Sequence, residues 1–365
     1  MSILIFLAVL FVLVLVHEFG HFAVAKWTGM RVDEFGIGFP PKLFGIKKGE
    51  TEYTLNLFPV GGFVKISGED GVADASLRTS DSERSFVSKS KWAQAAVLLA
   101  GVTMNVIFAW VLVTLAFTIG VQTSVTEAEA TPSASLTVTS VLPGSPAEGA
   151  GIKGGSVVKS MYAEGETLSN LTPSAFSAFI ETHANAPITI AYTEGAELRV
   201  ADLKALKGLI PDNAEKPAIG VALSLVDTLK RSLFESSVAA GKYTITGLRD
   251  ITVGIASLLY DTIRMKADFS QVAGPIGIVG LVGEASAYGI TALLMFTAFI
   301  SLNLAVINIL PFPALDGGRL LFVLIEAVKG SPIKAQYAGV LNTIGFFILI
   351  LLMVLVTWND IMKLV

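Results

Sequence analysis

The chain has no cysteine, only three histidines, and just 15% charged residues among its 365 positions. Without cysteine there is no disulfide framework, no thiolate nucleophile and no Cys-ligated zinc site. Scarce charge, 53% hydrophobic residues and a mean hydropathy of +0.68 argue against the two or three soluble domains that the length alone would suggest. A net charge of −4 gives no basic surface for nucleic acid. Internal repeats and low-complexity tracts are absent. Several uncharged runs exceed the roughly 20 residues that span a bilayer, so the chain reads as a polytopic membrane protein.

Two of the three histidines lie in the first of these runs, as His17-Glu18-Phe19-Gly20-His21. They are the only ionisable side chains between Ser2 and Ala25, apart from Glu18 between them. Residues four apart share one helix face, so both imidazoles reach a single metal ion. Glu18 follows the first ligand, where it faces a water at the metal as general base. The plainer alternative is a pair of hydrogen-bonded core histidines. Against it stands the cost of an ionised group at membrane depth, on the order of 3 kcal/mol, which marks such groups as functional by default. The run has no basic leading segment and no small-residue cleavage site; it reads as a retained span, about residues 3–25, rather than a signal peptide.

Residues 26–91 carry ten Lys and Arg, among them Lys26, Arg31, Arg78 and Arg84, which assigns this loop to the cytoplasm. Within it, 53–66 reads as two short apolar strands around Pro59-Val60-Gly61-Gly62, a hairpin. It is either an ordinary buried hairpin or a loop that dips toward the metal and offers a strand edge to substrate. A second span follows at about 93–120; its Gly101 suits close helix packing, and its Asn105 needs a partner. Residues 121–226 hold eleven acidic and six basic residues and no spanning run. They read as one extracytoplasmic α+β domain, with strands at 136–141 and 188–192, a short helix after Pro143, and a helix over 173–183. His183 is expected on its surface. Two amphipathic helices, about 230–240 and 248–265, suit the membrane surface.

A third span, about 290–310, ends in Asn308-Ile309-Leu310-Pro311-Phe312-Pro313-Ala314-Leu315-Asp316-Gly317-Gly318. Two prolines stop regular helix there, and broken backbone at membrane depth is tolerated where it is buried or lines a polar cavity. Asp316 thus lies on the same side of the membrane as the histidines. It is the natural third ligand, leaving one open position as in catalytic zinc sites. A helix-capping role is the alternative. The fourth span is about 338–356, and both termini come out extracytoplasmic.

Six segments carry a resemblance: HEFGH (17–21), GGFVKISGE (61–69), AGVTMN (100–105), AGPIGI (273–278), NILPFPALDGG (308–318) and WND (358–360). In this order they resemble the site-2 protease family, and more narrowly the bacterial RseP-type regulators of sigma-factor release. The resemblance implies an intramembrane zinc metalloprotease with one Zn²⁺, ligated by His17, His21 and Asp316, with Glu18 as general base. It implies substrate contacts from Asn308, from Gly61, Gly62, Phe63 and Val64 on the hairpin, and from Pro311 and Pro313. The implied architecture is four transmembrane helices in a bacterial inner membrane, with a membrane-associated β-hairpin and one inserted PDZ-like domain. Residues 1–120 and 273–365 would form the protease core, with the Leu-Asp-Gly motif at 315–317, and 227–272 the surface helices. Implied partners are the lipid bilayer and single-span membrane proteins, such as trimmed anti-sigma factors and signal-peptide remnants. The chain departs from the family pattern in three ways. Val102 and Thr103 stand where a proline often follows the AG pair, about 100 residues leave room for one PDZ-like domain rather than two, and Gly154-Gly155-Ser156 replaces the commoner Pro-Gly-Asp. The same ligands would suit a metal transporter, but the spans carry no further carboxylates to line a polar path. A peptide-binding scaffold would have no need of Glu18.

Overall fold

The computed structural model describes residues 1–364 except 70–81, 196, 210–212, 265 and 267–272. Two compact units emerge: residues 1–119 with 231–365, and residues 120–230.

The first unit is helical, with one curled sheet. Helices α1 (Ser2–Trp27), α2 (Lys91–Ile119) and α7 (Ile290–Ile309) are long and apolar enough to cross a membrane, as is α9 (Ala335–Leu364). Where no water competes, a helix is the way a single segment satisfies its own backbone. Close approach of α1 to α2 depends on Gly20, whose hydrogen stands where a Cβ would collide with Ala100 O. Helix α5 (Leu233–Ile263) opens with a capping box: Ser232 Oγ accepts from Glu235 N at 3.4 Å, and Glu235 Oε2 accepts from Ser232 N at 3.1 Å. The two helices expected over 230–265 are therefore one helix of 31 residues; Met265 lies outside the described residues, as does Arg78. Ser236, Ala240 and Thr244 bury one face of α5, where Ala240 packs with Ala109, Val113, Ala298 and Leu302 of α2 and α7. Gly247 lies against the Leu302 side chain, so a glycine within the helix serves packing rather than breaking it.

A short apolar helix, α6 (Pro275–Ala287), occupies the AGPIGI stretch. Asp360 of α9 is buried and accepts from Gly274 N at 3.1 Å and Gly277 N at 2.8 Å. It thus satisfies donors that the start of α6 leaves free.

Strands β1 (Val32–Lys48) and β2 (Thr51–Ile66) form the curled sheet. The turn lies at Gly49-Glu50, with Gly49 at φ +65°, not at Pro59–Gly62 as the sequence suggested. Residues 59–62 belong to β2 itself. Residues 34–37 pair twice: with 62–65, where numbers run in opposite senses, and with 52–55, where they rise together. The order across the sheet is therefore 43–48, 51–56, 34–37, 62–66, and among the described residues the last segment is an edge.

The 120–230 unit is a seven-stranded sheet with two helices, α3 (Pro146–Gly149) and α4 (Pro173–Thr182). Strands β3 (Val121–Val125), β9 (Val221–Leu229), β4 (Ser135–Val141), β5 (Val157–Ala163), β7 (Ile188–Glu194) and β8 (Glu197–Leu203) lie in that order, and β6 (Glu166–Leu168) pairs with β5. Phe176, Phe179 and Ile180 of α4 bury against Leu136, Met161 and Ile190. Each contributes about 1.5–3 kcal/mol relative to exposure. His183 is buried rather than on the surface: it ends α4, and its Nδ1 lies 3.0 Å from Phe179 O.

Glu50, at the sheet turn, joins three segments. Arg84 Nη1 donates to Oε2 at 2.6 Å, and Lys26 Nζ donates to Oε1 at 2.6 Å. The Arg84 hydrogen bond, with that of Lys26, holds the Glu50 carboxyl down from about 4.5 to about 2. A carboxyl depressed on folding stabilises the fold above its unfolded value and loses that contribution as pH falls through the folded one. Glu50→Gln should therefore lower the melting temperature at neutral pH, with the gap to wild type closing between pH 4.5 and pH 2. A gap that stays constant across that window would contradict the account.

Candidate active site

Helix α1 presents His17 and His21 on one face, and Asp316 opens helix α8 (Asp316–Lys329). The chain between α7 and α8 is irregular because Pro311 and Pro313 lack backbone donors. Gly317 and Gly318 press against the carbonyls of Ile309, Leu310 and Phe312, where a Cβ would collide. Ala314 stands in the left-handed region at φ +73°, held by Asn342 Oδ1, which accepts from its N–H at 3.3 Å. For a non-glycine residue that conformation costs roughly 1–2 kcal/mol. This tight loop delivers Asp316 to the histidines.

Asp316 Oδ2 lies 3.1 Å from His17 Nε2 and 3.2 Å from His21 Nε2, and the two Nε2 atoms are 3.2 Å apart. Capping does not occupy this oxygen: the N-cap of α8 is Leu315, and Oδ2 is buried without a hydrogen-bond partner. His21 Nδ1 lies 2.8 Å from Val97 O. A carbonyl only accepts, so Nδ1 carries the proton and Nε2 presents a lone pair. Lone pairs then converge on one point, an arrangement that repels itself without a cation. Ligand atoms about 2.0–2.1 Å from a tetrahedral zinc lie about 3.3 Å apart, close to the separations here. The donor set therefore fits zinc.

Neighbouring residues hold the rings. The Asn105 amide faces His17 Nδ1 at 3.2 Å. With Nε2 turned inward, Nδ1 carries the proton, which requires the amide to present its oxygen to the ring. The Asn105 backbone is held by Ser301 Oγ, which donates to its main-chain carbonyl at 2.8 Å. Gly101, read from sequence as a helix-packing residue, lies directly against both imidazoles: a Cβ there would collide with His21 Nε2 and His17 Cε1.

A cavity of about 350 Å³ opens on this cluster. His17, Glu18 and Asp316 line it together with Gly61, Gly62 and Asn308, so these six sequence-derived candidates meet in one place. Phe63, Val64, Pro311 and Pro313 are not among its lining residues. The Phe63 ring covers Gly36, Val64 packs toward the cluster of Ala25, Met30 and Val97, and Pro313 backs onto Gly345. Phe39, Leu10 and Val14 also line it and went unread, since nothing local distinguishes them from other apolar residues.

Residues 5–352 match the model of peptidase family M50. The chain belongs to this family. A Clostridium perfringens protein whose name describes a zinc metalloprotease is 35% identical over 96% of this chain and 95% of its own length. A similarly named Clostridium acetobutylicum protein is 32% identical over 96% of this chain and 94% of its own length. The regulator of sigma-W protease RasP of Bacillus subtilis is 29% identical over 100% of this chain and 99% of its own. The M50 chain is accordingly a zinc metalloprotease, and its apolar helices suit a multi-pass membrane protein.

Gly101→Ala should displace both imidazoles, so that purified protein holds far less zinc and loses activity while remaining folded. Gly254→Ala, where the methyl meets nothing within 4 Å, should change neither. Full zinc content in Gly101→Ala would contradict the close approach.

Proposed function

We propose that this zinc metalloprotease cleaves peptide bonds within the transmembrane segments of single-span membrane proteins. The observation that carries the reading is the convergence of His17, His21 and Asp316 beside Glu18, within a helix apolar enough to cross a membrane, at a cavity bordered by a strand edge.

His17, His21 and Asp316 hold the zinc, and Glu18 is the catalytic base. When bound by these three residues, zinc would supply Lewis acidity toward the scissile carbonyl and toward a water. The Glu18 carboxylate takes the water's proton and returns it to the leaving amide nitrogen. Its place is supported by Gly62: a Cβ on that residue would lie 3.6 Å from Glu18 Cγ, so the strand edge passes beside the base. A transmembrane helix hides its carbonyls in internal hydrogen bonds, so the substrate must unwind before it reacts. The freed backbone pairs with the edge at 62–66, as in strand addition. Asn308 gives a further hydrogen bond to it. Gly61 keeps the edge close, since its φ of +112° and the Phe39 ring leave no room for a side chain. Phe63, Val64, Pro311 and Pro313 shape this edge and the loop opposite rather than touch the reacting bond.

The four long apolar helices form the transmembrane core in a bacterial inner membrane, with both termini extracytoplasmic. The 120–230 unit is PDZ-like and extracytoplasmic; its acidic balance and its antiparallel sheet with the α4 helix support this. Anti-sigma factors already trimmed by another protease, and signal-peptide remnants, are the proposed substrates. For the first class, support comes from the similarity to the sigma-W regulator RasP.

Purified protein in detergent should cleave a tagged single-span substrate, and Glu18→Gln should abolish cleavage while about one zinc per chain remains bound. Persistent cleavage by Glu18→Gln would remove Glu18 from the mechanism, and failure of wild type on both trimmed and untrimmed substrates would remove the reading itself.

A further inference from the structure

Arg319 lies one helical turn beyond Asp316, on the helix that this ligand opens. Its Nη1 donates to Glu69 Oε1 at 2.6 Å and its Nη2 donates to the Glu69 carbonyl at 3.0 Å. One guanidinium thus grips both the side chain and the main chain of a single residue. Glu69 stands three residues beyond Ile66, the last residue of the edge segment, and its N–H donates back to Ile66 O at 3.2 Å. The next link is also held: Ser67 N donates to Arg31 O at 2.9 Å, and Phe86 N donates to Ser67 O at 2.7 Å. A short, hydrogen-bonded path therefore runs from the metal-ligand helix to the strand edge.

Arg319 and Glu69 do not touch the substrate cavity. They line a separate cavity of about 390 Å³, which has no lining residue in common with the first. They therefore meet the substrate only through other residues, although the Glu69 charge also acts on Glu18 directly. Helix α8 has a second, independent anchor: Glu326 accepts from Lys91 Nζ at 2.5 Å and from Ile333 N at 2.8 Å. Lys91 begins α2, the helix whose Val97, Gly101 and Asn105 hold the imidazoles. Loss of the Arg319 contact would leave Asp316 tied through Glu326 to α2, the helix that holds the imidazoles, and would remove one of the ties at the end of the edge strand instead.

We infer that Arg319 and Glu69 are a positioning pair: they set the strand edge at 62–66 against Asp316, and so decide which substrate bond is presented to Glu18. This rests on the proposed pairing of substrate with that edge. The guanidinium makes two bonds to a partly shielded partner, the geometry in which an Arg pair is strongest. Arg319→Ala removes both bonds, whereas Glu69→Gln leaves the carbonyl contact, so the first should have the larger effect.

The test uses the full chain in detergent with a single-span substrate. It measures KM, kcat, the cleaved bond by mass spectrometry, zinc content and melting temperature. Arg319→Ala should keep its zinc, raise KM by about tenfold with kcat within about threefold, and scatter cleavage over neighbouring bonds. Glu69→Gln should show the same pattern more weakly, and the exchange Glu69→Arg with Arg319→Glu should restore part of the single cleavage position. Loss of zinc and collapse of kcat at unchanged KM would overturn the inference, since the pair would then serve the metal alone. Unchanged kinetics and cleavage position in all variants would overturn it as well. Should Arg319→Ala not fold, Arg319→Lys and Glu69→Gln decide by the same readouts. Absence of cleavage by wild type would strike the proposed function itself, a result distinct from each of these.

Discussion

Three lone pairs brought to one point inside an apolar helical unit are the constraint on which the rest of this fold depends. His17 Nε2, His21 Nε2 and Asp316 Oδ2 sit 3.1–3.2 Å from one another. In a low-dielectric setting such acceptors repel, and each costs several kcal/mol to desolvate alone. A divalent cation turns that cost into binding. The surrounding residues then serve to hold the geometry: Val97 and Asn105 for the rings, Gly101 for the space they fill, and the loop of Pro311–Gly318 for the carboxylate.

Under the proposed function, the same apolar surroundings would also govern how a substrate is met. A spanning helix arrives with its backbone satisfied, and once opened it exposes groups that water cannot reach. In the proposed pairing, a strand edge beside the ligand cluster would give those groups partners at once. Among the described residues the sheet leaves that edge free: residues 34–37 are paired on both sides, whereas 62–66 is paired on one. Gly61 and Gly62 let it lie against the cavity without side chains in the way.

Much of this was legible in the sequence because it is local or chemical. His17 and His21 are four apart in a run that should contain no ionisable group, and Asp316 ends a long uncharged stretch next to two prolines. The long apolar helices follow from run length alone. What was not legible depends on contacts far apart in the chain. The pair Gly61-Gly62 is the stronger turn signal, yet the chain turns at Gly49-Glu50, because 34–37 recruits both 52–55 and 62–65 as partners. Gly101 reads as packing until the imidazoles are seen against it. His183 reads as exposed, but its ring lies on Phe179, with centroids 4.4 Å apart. Two helices were expected over 230–265, and α2 and α7 supply the packing that holds α5 as one. Nothing in the sequence pairs Arg319 with Glu69, 250 residues earlier.

The central claim is the ligand set, and zinc X-ray absorption on the purified full chain tests it most directly. The account predicts a first shell of nitrogen and oxygen at about 2.0–2.2 Å, with imidazole scattering that is reduced in His21→Ala and an oxygen contribution that is reduced in Asp316→Ala. A wild-type spectrum without imidazole scattering, or one unaltered by both substitutions, would contradict it.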